Sequence, residues 1–355
     1  MKLPARYKQV TKSVLAGGFG SVIALEDTFL RRIVLLKTMQ DSAHNAQLQN
    51  EINGLCKSRS RHVVEIYDVL KDEKAQIFGV VIERLRGRDF TDFYKEAAHD
   101  PTEYLKVLYQ VATALRDLHA VGIIHRDLKL ENFKESSAGI VKLFDFGISS
   151  PDGGYQTKEN KGTIYYAGPE LYVAGATITP ELDVYAFGVC AWKLAVEKLP
   201  SALKEQPPQQ TGKCPSISSA LAGLHPDVAA ALDLCLAPNP NNRPKAVDLS
   251  ALLAKHLVRD RHRGLFVQGA LPVVELSSTQ PAASLKIGTL GELKVAYDGL
   301  LFKITGVSGS VRINNTPASV GDTLHDACLL SFGDKSLGSG QAWVTFFSSH
   351  PEVVL

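Results

Sequence analysis

The chain has 355 residues, a formal net charge of +2, 45% hydrophobic residues and 21% charged residues. That length and balance predict a soluble globular chain of two or three domains, and the near-neutral charge argues against a whole-molecule field that would draw nucleic acid or an anionic membrane. The five cysteines (Cys56, Cys190, Cys214, Cys235 and Cys328) are odd in number and lack Cys-x-x-Cys spacing, which argues against a disulfide framework or zinc site and fits a reducing cytoplasm.

Met1-Lys2-Leu3-Pro4 leads into a charged segment with no apolar signal region. No run reaches the ~18 apolar residues of a spanning helix; the longest candidate, Val184 to Val196, is broken by Lys193 and reads as a buried core helix. In chain order, Val14 to Leu25 and Arg32 to Thr38 read as strands around a glycine turn. Asn45 to Lys57 carries Leu48, Ile52 and Leu55 at helical spacing, and Val63 to Leu70 and Ala75 to Ile82 are apolar, β-branched strands. Pro101 to Val121 is a long amphipathic helix. Further helices are predicted at Pro180 to Val196, His225 to Leu236 and Lys245 to Val258. The basic cluster Arg259-Asp260-Arg261-His262-Arg263 and the Ser/Thr/Pro/Ala-rich stretch from Ser277 to Ser284 read as a linker, residues 259–284. Beyond it, short alternating strands are expected at Glu292–Tyr297, Leu300–Ile304, Ser310–Ile313, Cys328–Phe332 and Ala342–Phe347, with turn residues such as Asp298-Gly299 and Asn314-Asn315 between them. The expected domains are therefore 1–258 and a small all-β module, 285–355.

Several motifs stand in order along the first domain. Leu15-Ala16-Gly17-Gly18-Phe19-Gly20-Ser21-Val22 is a glycine-rich turn, and Ile33-Val34-Leu35-Leu36-Lys37 a strand ending in lysine. Glu51 follows in a helical pattern. His125-Arg126-Asp127-Leu128-Lys129-Leu130-Glu131-Asn132 precedes Asp145-Phe146-Gly147, and Lys161-Gly162-Thr163-Ile164-Tyr165-Tyr166-Ala167-Gly168-Pro169-Glu170 closes the segment. In this order and spacing the set resembles the eukaryotic-like serine/threonine protein kinases, over about residues 8 to 258. The resemblance implies an α+β, bilobal fold: a β-rich N-terminal lobe and a helical C-terminal lobe, here followed by the all-β module.

The same resemblance implies the site. Gly17 and Gly20 would let backbone N–H groups approach the phosphates, with Val22 beside them. Lys37 would contact the α- and β-phosphates and pair with Glu51. Ile82 would be the gatekeeper, and the backbone of Glu83 and Leu85 would bind adenine. Asp127 would accept the substrate hydroxyl proton, Lys129 would neutralise the γ-phosphate, and Asn132 and Asp145 would hold magnesium, or manganese in its place. A lysine at Lys129 resembles the serine/threonine rather than the tyrosine enzymes. Glu170 would pair with Arg243, and Asp183 would hold the catalytic loop. Arg126 would meet a phosphate on the activation segment, for which Thr157 is the first candidate and Ser149, Ser150, Tyr155 and Thr163 follow.

The pattern departs from the family around the nucleotide. Leu15 replaces the first loop glycine, Leu35 the small residue above adenine, and Lys134 the apolar floor; Gly168 and Asn239 also differ. Overpacking at Leu35 predicts a crowded base pocket and weaker adenine binding. The last module resembles a forkhead-associated β-sandwich from Ser310-Val311-Arg312-Ile313-Asn314-Asn315 to Gly333, without the arginine after Gly288 and without a Ser-x-x-His; a docking or autoregulatory role is equally expected of it. The reading is a cytoplasmic serine/threonine kinase using ATP on protein substrates, with no nucleic-acid or membrane partner. The alternatives are a pseudokinase scaffold and a kinase-fold enzyme acting on a small molecule.

Overall fold

The computed structural model describes residues 3–10, 15–16, 20–39, 52, 56–57, 59–72, 77–145, 164–175 and 177–354. The chain divides between Leu253 and Ala254 into two units.

The first unit begins with an antiparallel sheet of β1 (Tyr7–Gln9), β2 (Leu15–Ala16), β3 (Gly20–Asp27), β4 (Arg32–Met39), β5 (Ile66–Asp72) and β6 (Ile77–Glu83). Its order is β1-β3-β4-β6-β5, with β2 paired to β3. Alternation along β4 decides what faces where. Val34 and Leu36 are buried with Tyr7, Leu25, Leu70 and Val81, so Leu35 and Lys37 turn to the opposite face. Of the helix expected over Asn45 to Lys57, Ile52, Cys56 and Lys57 are helical, and Ile52 is buried beside Val80. The remainder, Glu51 included, lies outside the described residues.

The helical lobe is built around the helix Pro101–Ala120. Asp100 caps it, accepting bonds from Thr102 and Glu103 N–H, and Pro101 sits in the first turn, where no N–H is needed. The helix Glu181–Ala195 is buried except at Glu181 and Lys193. A helix apolar on every side belongs in a core, which confirms the reading of Val184 to Val196. The helices Pro226–Cys235 and Ala246–Leu257 follow. A two-stranded hairpin, β7 (Phe133–Glu135) with β8 (Val141–Leu143), closes the catalytic-loop region. Val64 N–H donates to Leu143 O at 2.9 Å and Leu143 N–H to His62 O at 2.9 Å, so this hairpin is stitched to the segment entering β5.

The second unit is all antiparallel β. Strands β10 (Val274–Leu276), β9 (Gly264–Val267), β18 (Ala342–Ser348), β17 (Cys328–Phe332), β14 (Val311–Ile313) and β15 (Thr316–Pro317) form one sheet in that order. Strands β11 (Ala282–Ile287), β12 (Gly291–Tyr297), β13 (Phe302–Gly309) and β16 (Thr323–Leu324) form the other. The core lies between them: Phe266 and Phe346 rings are 4.8 Å apart, and Phe302 meets Phe346 edge-on at 5.3 Å. Asn314 and Asn315 both take positive φ, 46° and 70°, the turn that a two-residue hairpin requires. One expectation is corrected here. Residues 259–284 are not a linker, because β9, β10 and the start of β11 fall inside them. β9 gains its place by pairing with β18, Thr345 opposite Val267 and Phe347 opposite Leu265, a partner far away in sequence that local composition does not reveal.

Candidate active site

The loop after the helix Pro101–Ala120 is held by its backbone. Asp183, fully buried, accepts bonds from the N–H groups of His125 and Arg126, each at 2.8 Å, and from His119 Nε2 at 2.8 Å. Arg126 has φ +66° and Asp145 φ +57°. Such backbone conformations cost about 1–3 kcal/mol for a residue with a Cβ and persist where neighbours over-determine them; the Asp183 clamp does this for Arg126. His125, Leu128 and Leu130 are buried and anchor the loop between its polar side chains. Burial pushes the His125 ring below the ordinary histidine range, so it is a neutral packing group and not a proton carrier.

Against this frame the polar set converges. Lys129 Nζ donates to Asp127 Oδ2 at 2.7 Å. Asn132 Nδ2 donates to Asp127 Oδ2 at 2.9 Å and to Asp127 O at 2.8 Å. Phe144 N–H donates to Asn132 O at 2.9 Å, bringing the Asp145 strand end alongside. Lys37, arriving from β4, donates to Asp145 Oδ1 at 2.6 Å. Burial raises the Asp145 carboxyl pKa, but the Lys37 ammonium outweighs it and holds the group below the usual carboxylate range. Asp145 is thus an anion at neutral pH.

Beside these residues lies a cleft of about 500 Å³, lined by Val10, Val22, Ala24, Leu35, Val64, Ile82, Glu83, Arg84, Leu85, Lys134 and Phe144. This volume falls within the range of small-molecule sites. Leu35 lies on the cleft face of β4, where it is only half-buried, and forms part of the wall without filling the space. Leu35 stands directly opposite Ile82 of β6, and both residues line the cleft.

The structure brings together Lys37, Asp127, Lys129, Asn132 and Asp145, and places Val22, Leu35, Glu83, Leu85 and Lys134 in the cleft wall. Gly20 opens β3, opposite Met39 of β4. Gly17, Glu51, Ser149, Ser150, Tyr155, Thr157 and Thr163 lie outside the described residues. Sequence reasoning missed Ala24, Val64 and Phe144. Ala24 was legible, being two residues beyond Val22 on a strand of period two; Val64 was not, since only its bond to Leu143 brings it there. His119 was also missed, because its role depends on the distant Asp183. The Glu170–Arg243 pair forms as expected, with two bonds of 2.7 Å. A Cβ at Gly168 would press on the Glu170 carboxylate that Arg243 holds.

A profile of the protein kinase domain matches residues 9–255. The chain belongs to the protein kinase domain family. Among its relatives, the probable serine/threonine-protein kinase PknB of Lactococcus lactis is 31% identical over 55% of this chain and 32% of its own length. Serine/threonine-protein kinase pkn3 of Myxococcus xanthus is 26% identical over 72% of this chain and 51% of its own length. Serine/threonine-protein kinase PrkC of Bacillus subtilis is 27% identical over 56% of this chain and 32% of its own length. The chain thus spans between about a third and a half of these relatives. Among the described residues, no helix is long and apolar enough to cross a membrane.

Proposed function

We propose that this kinase domain transfers the γ-phosphate of ATP to serine and threonine hydroxyls of protein substrates. The observation that carries the reading is the intact charged set beside an open cleft. Oδ2 of Asp127 takes the bonds of Lys129 and Asn132, and Oδ1 accepts none among the described residues. Oδ1 is then the atom that receives the substrate hydroxyl proton as the oxygen attacks phosphorus. Lys129, already at Asp127, lies where charge builds on the transferring group, and Lys37 reaches the phosphates from β4. Phosphoryl transfer asks for such positioning and charge neutralisation rather than covalent chemistry from the protein. The base would sit in the cleft between Leu35, Lys134 and the backbone of Glu83 and Leu85.

The metal-binding reading rests on donor chemistry. Both hydrogens of the Asn132 amide go to Asp127, which leaves Oδ1 of Asn132 and the anionic Asp145 as a pair of hard oxygen donors of the kind magnesium prefers, with manganese as a substitute. When bound, the ion would supply charge neutralisation on the phosphates. A pseudokinase reading has no support in a cleft this roomy with its charged residues in place.

Autophosphorylation of the activation segment, with Thr157 the first candidate and Ser149, Ser150 and Thr163 next, belongs to the same proposal, as does a cytoplasmic location for a chain with five free thiols. The second unit is proposed as a forkhead-associated-like sandwich with a docking or autoregulatory role, supported by its two antiparallel sheets. The test is phosphate incorporation from labelled ATP and magnesium into a protein substrate and into the chain itself, read by mass spectrometry. Asp127→Asn should lower transfer by about 10²–10⁴-fold. Equal incorporation in the two proteins, or none in either across a panel of protein substrates, would refute the assignment.

A further inference from the structure

A second cation on the β7–β8 hairpin has no part in the chemistry above. Lys142, on β8, is buried, its side chain only 8% exposed. Its Nζ donates to Glu83 Oε2 at 2.6 Å, and Glu65 Oε1 lies 3.6 Å away. Glu83 is the last residue of β6 and lines the cleft, with its own side chain 17% exposed. The backbone runs the same way: Glu83 N–H donates to Glu65 O at 2.9 Å, and Val64 N–H, one residue earlier, to Leu143 O at 2.9 Å. Lys142 therefore joins the helical-lobe hairpin to the strand end from which the base would be bound.

We propose that Lys142 is a positioning residue for nucleotide binding: by holding the Glu83 carboxylate it fixes the end of β6 and keeps that carboxylate out of the base site. The second half follows from register. Lys134 and Lys142 stand opposite each other on β7 and β8, so both side chains leave the same face of the hairpin. Lys134 lines the cleft. Freed from Lys142, Glu83 meets a second cation on that same face, and a Glu83–Lys134 pair would lie across the floor where the base rests. An ammonium this buried, with a carboxylate at 2.6 Å, binds its partner firmly, and removing it leaves a half-buried carboxylate to seek another cation. The inference rests on the proposal that the cleft binds adenine at Glu83 and Leu85.

The experiment compares steady-state kinetics of the full chain with those of Lys142→Met and Lys142→Arg, with adenosine as a competing probe that contacts the base site and no phosphate site. In Lys142→Met, the KM for ATP and the adenosine inhibition constant should rise together by about 5- to 10-fold, with kcat within about twofold, the signature of lost binding rather than lost chemistry. Lys142→Arg, which keeps the charge, should recover most of the loss. A merely structural role would lower kcat and the folded fraction without moving the adenosine constant. If Lys142→Met does not fold, Glu83→Gln, which loosens the tie to β6 but carries no charge to pair with Lys134, should raise both constants by about 2- to 3-fold. Unchanged constants in a folded Lys142→Met, or in Glu83→Gln, would overturn the proposal while leaving the base-site reading standing. Failure of adenosine to compete with ATP in the unmodified chain would overturn both.

Discussion

Arg243 offers the sharpest test of how the helical lobe is held together. Its side chain is fully buried, and Glu170 is 15% exposed. The guanidinium donates to both Glu170 oxygens at 2.7 Å, to Ala237 O at 2.9 Å and to Glu181 O at 2.9 Å, and it lies 4.8 Å from the Tyr185 ring centroid. Arg243→Met roughly keeps the volume but leaves the carboxylate without its cation and the carbonyls of Ala237, Glu181 and Pro238 without this donor. Breaking a buried pair by removing one partner costs about 3–5 kcal/mol. At roughly 2–4 °C per kcal/mol for a domain of this size, the melting temperature should fall by about 6–20 °C. Differential scanning calorimetry, with urea unfolding as a second measure, reads the effect. The Glu170→Gln/Arg243→Met double variant should be at least about 1 kcal/mol more stable than the two single losses added together, since the stranded charge is gone. A shift below ~2 °C in Arg243→Met would refute the view that this pair is buried and well satisfied.

Leu35 forms part of the cleft wall without filling it, so Leu35→Ala should weaken ATP binding by about 5-fold through lost apolar contact; tighter binding by calorimetric titration would restore the crowded-pocket reading. Asp27 is fully buried, and its bonds with Arg6 hold its carboxyl well below the usual aspartate value, at about 2. Because the folded value lies below the unfolded one, its stabilisation is present above about pH 4 and is lost as pH falls toward 2. The melting temperature should therefore decline more steeply between pH 4 and 2 in the unmodified chain than in Asp27→Asn, and parallel slopes would count against the pair.

The site was more legible than the frame that holds it. Asp127, Lys129 and Asn132 lie within six consecutive residues, so their mutual geometry is a property of one turn and survives in the sequence as a motif. Lys37, inside β4, and Asp145, just past β8, are implied by the motif order that resembles the kinases, and the fold joins them at 2.6 Å. The face of Leu35 follows from the period-two alternation of β4, whereas its place opposite Ile82 of β6 in the cleft wall comes from the sheet. Lys142 gave no signal at all, because a lysine on a short strand is ordinarily a solvated charge until two carboxylates from other elements close over it.

The second unit divides the same way. From Gly291 onward, β12, β13, β14, β17 and β18 follow from alternation and turn residues, which are local, whereas the two-residue β15 and β16 give no such signal. β9 and β10 fall where a basic cluster and a Ser/Thr/Pro/Ala-rich stretch read as linker by composition, and strands as short as Gly264–Val267 and Val274–Leu276 are marginal in water without a partner. By itself the sequence determined the motif residues and the buried character of the helix Glu181–Ala195, both of which depend on neighbours a few positions away. Tertiary structure alone decided the place of His119 beside Asp183, the Lys142–Glu83 tie, the open cleft and the place of β9 beside β18. Each of these joins residues brought together only when the chain has already folded, and burial there gives a charge or a short strand a meaning that its composition does not carry.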